Sequence, residues 1–131
     1  MDNFQRLHIP EQREKVRLRN HSGGLRNQLA RDIPEVVSIA VKKLYKKYPT
    51  KHDAVIAHSG GRDVIEAVEK TLHCDLTVTS EVLASHGNMS SASLPVALER
   101  YIHTAPSNTK RIWLTAFGTG FSAYACELIK C

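Results

Sequence analysis

A strand, a glycine turn and a helix follow one another without a break at the centre of the chain. Residues 53–57 are short and apolar, as in a strand that is buried on both faces. The turn after it is His58-Ser59-Gly60-Gly61, and the helical pattern that follows places Val64, Ile65, Val68 and Leu72 on one side. Because strands that alternate with helices build sheets covered by helices, this unit predicts an α/β fold.

The segments on either side continue the pattern. Residues 16–19 and 25–30 predict two strands around a turn. Asp32, as an N-cap, and Pro34 open a helix with a regular apolar stripe. Farther on, the sequence predicts a strand at 76–78, a helix start at Thr79, a helix at about 89–103 and strands at 111–117 and 121–129. The predicted order is β-β-α-β-α-β-α-β-β.

Length and composition indicate one globular domain. The chain has 131 residues, of which 42% are hydrophobic and 24% charged. Residues 1–13 lack periodicity and predict a flexible arm, so we place the domain at residues 14–131. No apolar run approaches the ~20 residues that cross a bilayer, and none near Met1 resembles a secretory signal. We therefore expect a cytoplasmic protein with no membrane partner.

The charge and the cysteine content indicate which classes of partner the chain can bind. The net charge of +5 suggests anionic partners, such as nucleic acid, a phosphorylated cofactor or an acidic protein. Aromatic residues make up only 6% of the chain and do not alternate with basic ones, which argues against nucleic-acid binding. Cys74, Cys126 and Cys131 are odd in number and lack metal-type spacing, so we expect reduced thiols and no metal site.

Two turns combine glycine with polar side chains at the ends of apolar segments, where α/β sheets bind ligands. His58 follows a predicted strand, and Asn88 begins the predicted helix at 89–103. Each residue by itself also has a structural interpretation. A histidine after a strand is often only part of the packing, and an asparagine at a helix start is often only a cap.

Longer strings around these turns resemble one enzyme family. Residues 58–72 and 80–93 resemble the segments of type III polyketide synthases that carry a catalytic histidine and a catalytic asparagine. Residues 116–120 resemble their glycine-rich loop, and residues 32–34 resemble the helix entry after a strand pair. The resemblance extends over residues 16–129, and more loosely to ketoacyl-carrier-protein synthase III.

The resemblance implies the C-terminal half of a thiolase-like fold, which is a mixed sheet flanked by helices. The activity that it implies is that of a decarboxylative condensing acyltransferase. In that family, a cysteine of the first half accepts an acyl group. The histidine and asparagine of the second half, here His58 and Asn88, stabilise the enolate of a malonyl unit. The resemblance implies no permanently bound cofactor. The expected substrates are acyl and malonyl thioesters of coenzyme A or of phosphopantetheine on an acidic acyl carrier protein. The residues expected to contact them are Gly61, Arg62, Ser90, Gly118, Thr119 and Gly120.

The chain departs from the family pattern in places. Ser59 and Thr119 stand where the family has proline, and His86 stands where an aromatic residue is common. The half with the nucleophilic cysteine is missing, and no cysteine here begins a helix in the family's manner. We therefore expect a partner, either a second chain with that cysteine or another copy of this chain. The alternatives are a fragment that is inactive alone, or a non-catalytic module that binds an acyl chain, a carrier protein or a sister synthase.

Overall fold

The structure is a computed structural model that describes residues 3–131. Within these residues lie six strands: β1 (Phe4–His8), β2 (Val16–His21), β3 (Gly24–Leu29), β4 (Ala54–Ala57), β5 (Arg111–Gly118) and β6 (Ser122–Ile129). The α-helices are α1 (Ile33–Tyr45), α2 (Arg62–Leu72), α3 (Thr77–His86) and α4 (Ser93–Thr104). Single 3-10 segments span Pro10–Lys15 and Ser90–Ala92. None of the helices in this part of the chain is both long and apolar enough to cross a membrane.

The main sheet has the strand order β1-β6-β5-β4. β4 and β5 run parallel, whereas the other two neighbouring pairs are antiparallel, so the sheet is mixed. Strands β2 and β3 form a separate antiparallel hairpin. The Gly120 N–H donates to the Val16 carbonyl at 3.4 Å, which joins the base of this hairpin to the turn between β5 and β6. The predicted mixed sheet flanked by helices is confirmed.

The two faces of the sheet carry different cores. Helices α1 and α2 pack on one face against inward side chains such as Val55, Trp113 and Ala123. On the opposite face, α3 and α4 pack against Ile56 and Leu114 through Val82 and Ala97. Successive side chains of a strand point to opposite faces, which explains why Val55 and Ile56 enter different cores.

The N-terminal residues do not form the expected flexible arm. Residues 4–8 are the edge strand β1, which pairs with β6 from Phe4 opposite Cys126 to His8 opposite Ser122. Its side chains alternate between exposed and half-buried, because only one face of the strand, including Leu7, packs on the core. Met1 and Asp2, which the prediction included, lie outside the described residues. The domain boundary at residue 14 stays a prediction.

The strand predicted at residues 76–78 is wrong, because α3 begins at Thr77. The Asp75 carboxylate accepts hydrogen bonds from the N–H and the hydroxyl of Thr77, at 2.8 and 2.6 Å. Such a bond to an N–H of the first turn favours a helix start over a strand. The helix predicted at 89–103 also differs, since it opens as a 3-10 turn and becomes α4 only at Ser93.

Helix α1 follows its predicted stripe, with one difference at its start. Ile33, Val37, Ala40, Val41 and Leu44 are buried as expected, together with Val36. Asp32 occupies the N-cap position, but its side chain makes no capping hydrogen bond. Its carboxylate pairs instead with the Lys15 ammonium, and this hydrogen bond lowers the pKa of Asp32. The N-terminal segment is therefore also attached to the domain by an ion pair.

A buried histidine lies at the edge of the sheet where β4 begins. The His52 ring packs against Tyr45, Tyr48 and Trp113, and its Nε2 lies 3.0 Å from Glu127 Oε1. Burial lowers the pKa of His52 and outweighs the opposing effect of the Glu127 carboxylate. The folded protein therefore holds this imidazole neutral more strongly than the unfolded chain does.

We expect the free energy of unfolding to fall as the pH is lowered from 7 towards 5. Below the ordinary pKa of histidine the unfolded chain binds a proton at His52 that the folded chain resists, and stability is lost. Urea unfolding at a series of pH values measures this dependence. His52→Asn should reduce the slope without removing it, because His58 is also partly buried and its pKa is lowered as well. The control substitution is the exposed His103→Asn. An equal slope in wild type and His52→Asn would contradict the prediction.

Candidate functional site

His58 lies at the carboxyl end of β4. Ala57, the last residue of β4, pairs with Thr115 of β5, and the His58 N–H donates to the Thr115 carbonyl at 2.8 Å. A hydrogen bond of the sheet therefore fixes the backbone of His58. Because strand side chains alternate and Ile56 faces α3 and α4, His58 also points to that face.

The turn after His58 leaves little space for a side chain at residue 60. The Gly60 N–H donates to the His58 carbonyl at 2.9 Å, and this folds the chain back over the ring. A Cβ at Gly60 would lie 3.1 Å from His58 Cδ2 and 3.2 Å from His58 Nε2. Burial of the half-buried imidazole lowers the pKa of His58. At neutral pH the ring is therefore held uncharged, with one N–H available as a donor.

Asn88 is attached to the same turn. Its Nδ2 donates to the Gly60 carbonyl at 3.2 Å, and its Oδ1 accepts from the Ser90 N–H at 2.9 Å. These two bonds fix the orientation of the carboxamide and leave one Nδ2 hydrogen outside them. Gly87 and Ser90 on either side have φ of 70° and 57°, a region that glycine enters easily and serine rarely. The bond from the Ser90 N–H agrees with the capping interpretation, because Ser90 begins the 3-10 turn that precedes α4, whereas the bond to Gly60 belongs to no helix start.

The structure brings the predicted site residues to one edge of the sheet. Gly61 and Arg62 follow the His58 turn, and Ser90 is bonded to Asn88. Parallel strands β4 and β5 end at the same edge, so the turn formed by Gly118, Thr119 and Gly120 also lies there. The contacts of these residues with a substrate stay predictions.

Arg62 contributes to a groove beside the turn. The groove has a volume of about 360 Å³ and is lined by Arg62, Ile65, Ser80, Leu83 and Ala84, from α2 and α3. Arg62 itself is exposed. A guanidinium at the mouth of a partly apolar groove can bind a phosphate while the walls contact an aliphatic chain.

Sequence reasoning missed three polar residues around the site. Thr79 on α3 is buried, and its Oγ1 accepts from the Ala57 N–H at 3.5 Å. The Ser93 Oγ accepts from the Met89 N–H at 2.9 Å. Ser59 is buried, and its Oγ has no hydrogen-bond partner among the described residues. Thr79 and Ser93 lie in helical patterns, so only their contacts distinguish them from ordinary helix residues.

The cysteines do not resemble activated nucleophiles. Burial raises the pKa of Cys74 to about 11, and it also raises the pKa of Cys126. A reactive cysteine needs the opposite shift, because the thiolate is the nucleophile. Cys131 is exposed at the end of the chain.

We expect Gly60→Ala to disturb the site and Gly61→Ala to leave it intact. The new methyl at residue 60 would push against the His58 ring, which should cost about 1–3 kcal/mol of unfolding free energy. A Cβ at Gly61 meets nothing within 4 Å, and its φ of 164° is ordinary extended backbone. Urea unfolding and the NMR signals of the His58 ring measure both effects. An equal loss of unfolding free energy in the two variants would contradict the prediction that space at residue 60 is limited by the His58 ring.

Comparison with known proteins agrees with this geometry. Residues 46–130 match the family described as 3-Oxoacyl-[acyl-carrier-protein (ACP)] synthase III C terminal. A putative chalcone synthase of Bacillus subtilis is 30% identical over 111 residues, which cover 76% of this chain and 30% of that protein. A beta-ketoacyl-[acyl-carrier-protein] synthase III of Shewanella oneidensis is 34% identical over 79 residues, which cover 60% of this chain and 24% of that protein.

Solved structures show the same fold. A single-residue mutant of CsyB superposes with a TM-score of 0.86 at 17% identity, over 98% of this chain and 39% of that one. The 1,3,6,8-tetrahydroxynaphthalene synthase of Streptomyces coelicolor is a bacterial type III polyketide synthase. It superposes with a TM-score of 0.83 at 21% identity, over 95% of this chain and 38% of that one. The chain thus spans well under half the length of its relatives. It belongs to the family of 3-oxoacyl-acyl-carrier-protein synthase III C-terminal domains, and it has the fold of the C-terminal, thiolase-like half of a condensing synthase.

Proposed function

We propose that this chain is the enolate-stabilising half of a decarboxylative condensing acyltransferase, with His58 and Asn88 as its two hydrogen-bond donors. The observation that carries the proposal is the bond from Asn88 Nδ2 to the Gly60 carbonyl. It joins the asparagine to the turn in which a Cβ at Gly60 would lie 3.1 Å from the His58 ring. Two neutral donors from distant parts of the sequence therefore lie at one edge of the sheet.

The pair suits a reaction in which negative charge develops on an oxygen. The carbonyl oxygen of a malonyl thioester would accept hydrogen bonds from the imidazole and the carboxamide. When the bond to the carboxylate carbon breaks, carbon dioxide leaves and the electron pair forms an enolate on that oxygen. The enolate carbon then attacks an acyl thioester, and the new carbon–carbon bond releases the thiolate. Two uncharged N–H donors stabilise the enolate without a buried charge of their own.

Thioesters of coenzyme A or phosphopantetheine are the proposed substrates. Both carry a phosphate on a long, mostly uncharged arm. The groove beside the site offers Arg62 for a phosphate, with Ile65 and Leu83 among its walls. The net charge of +5 supports an anionic substrate or an acidic carrier protein. Gly118, Thr119 and Gly120 lie between β5 and β6, where the strand next to β4 ends, and they would border the acyl group.

The acyl-accepting cysteine is proposed to come from outside the described residues, on another chain or on another part of a longer protein. The sheet face that carries His58 supports this. Helices α3 and α4 cover it over β4 and β5, while β6 and β1 leave Phe4 56% and Leu128 40% exposed. Tyr124, half-buried, stacks against Phe4 on this surface. This partly apolar surface, which also carries the exposed Arg6 and His8, lies on the face to which His58 points and is suited to contact the missing part.

A non-catalytic binding module is the second candidate. The observation that favours it is that burial raises the pKa of Cys74 and Cys126, so neither thiol is activated. In that case the groove at Arg62 would hold a phosphopantetheine arm without any reaction.

We expect His58→Ala and Asn88→Ala each to lower the rate of malonyl-thioester decarboxylation by about a hundred- to a thousandfold, because each removes one oxyanion donor. The assay uses the complex purified from the native cells and measures carbon dioxide release. The control is His103→Ala, an exposed histidine near the end of α4. Unchanged rates in the His58 and Asn88 variants would exclude the catalytic assignment and favour the binding module.

The native mass of the untagged protein in cell extract tests the origin of the cysteine. We expect a complex with a second component, whose cysteine is labelled by an acyl thioester. A self-dimer without such a component, or a lone monomer, would argue against a split synthase.

A further inference from the structure

Two hydrogen bonds connect the segment around α3 to the segment that carries His58. The Ala57 N–H, directly before His58, donates to the Thr79 Oγ1 at 3.5 Å. The Gly60 carbonyl, two residues after His58, accepts from Asn88 Nδ2 at 3.2 Å. His58 therefore lies between two backbone groups that are bonded to the same stretch of chain, residues 79–88.

The Thr79 bond satisfies a group that the sheet leaves open. β4 is an edge strand of the described sheet, with β5 on one side only. The His58 N–H points to β5, and successive N–H groups of a strand point to opposite sides, so the Ala57 N–H points away from β5. Ala57 is fully buried, and a buried N–H needs an acceptor. Thr79, only 1% exposed, provides one.

The remaining contacts between α3 and β4 do not fix the helix in the same way. Val82, one turn after Thr79, is buried in the same cluster as Ile56. Apolar packing is non-directional and tolerates small displacements of a helix along a strand. A hydrogen bond to one backbone N–H restricts that displacement, because its strength depends on distance and angle.

We propose that Thr79 is a positioning residue for the His58–Asn88 pair. Its hydroxyl holds the start of α3 against the last residue of β4, and Asn88 holds the loop after α3 against the turn at Gly60. The two contacts together set the separation of the imidazole and the carboxamide. The inference rests on the proposed function only where it calls this pair catalytic, and the contacts themselves can be tested in the isolated chain.

The decisive comparison is between Thr79→Val, which keeps the shape but removes the acceptor, and Thr79→Ser, which keeps the acceptor. The measurements are amide hydrogen exchange at Ala57 and NMR titration of the His58 ring in the full chain. The matched control is Thr109→Val. Thr109 is also buried, and its hydroxyl lies 3.4 Å from the Tyr101 hydroxyl. It precedes β5 and therefore lies at the end of the strand opposite to the His58 site.

We expect Thr79→Val to accelerate exchange at Ala57 by about tenfold or more, because the N–H loses its acceptor. The titration midpoint of His58 should shift as well, and Thr79→Ser should restore both values. In the native complex, Thr79→Val should lower kcat for decarboxylation more than it changes KM. Should Thr79→Val not fold, Thr79→Ala removes the same acceptor without placing a methyl against the N–H.

The inference is overturned if Thr79→Val keeps the wild-type rate of amide exchange at Ala57 and the wild-type titration of His58. It is also overturned if Thr109→Val changes both values as Thr79→Val does. The proposed function fails by a different result, namely unchanged decarboxylation in His58→Ala and Asn88→Ala. A shift of the His58 titration in Thr79→Val together with unchanged decarboxylation in those variants would uphold the positioning contact and reject the catalytic assignment.

Discussion

The parallel pairing of β4 with β5 is the contact on which both the core and the site depend. With Ala57 opposite Thr115, Val55 and Trp113 enter the core under α1 and α2, while Ile56 and Leu114 enter the core under α3 and α4. The same register decides where His58 points. A slip of one residue would turn every side chain of β4 to the other face and carry the imidazole away from Asn88.

The site is assembled from two segments that are thirty residues apart in the chain. The His58 turn is held by the bond from the His58 N–H to Thr115 and by the bond from the Gly60 N–H to the His58 carbonyl. The Asn88 loop depends on positive φ at Gly87 and Ser90, which turns the chain sharply after α3. Helices α2 and α3 between the two segments are joined where the Leu76 N–H donates to Glu69 Oε1 at 2.9 Å. Local strain and long-range contacts therefore act together to bring the carboxamide to the sheet edge.

The helices cover one face of the main sheet more completely than the other. One core extends under α1 and α2 from β4 to Leu7 of β1, and it contains the fully buried Trp113 and Phe121. On the other face, α3 and α4 cover only the half formed by β4 and β5. The uncovered half is formed by β6 and β1, which β5 separates from β4.

The sequence by itself determined the α/β class, the apolar stripe of α1 and the strings around His58 and Asn88, because these depend on local periodicity and on residue identity. It could not predict β1, whose polar residues form a strand only because β6 offers an edge with which they pair. It also misassigned residues 76–78, where the bond from the Thr77 N–H to the Asp75 carboxylate favours a helix over a short strand. The bonds from Asn88 to Gly60 and from Ala57 to Thr79 were decided by the tertiary structure alone. They join segments that only the packing of α3 on β4 brings within hydrogen-bond distance.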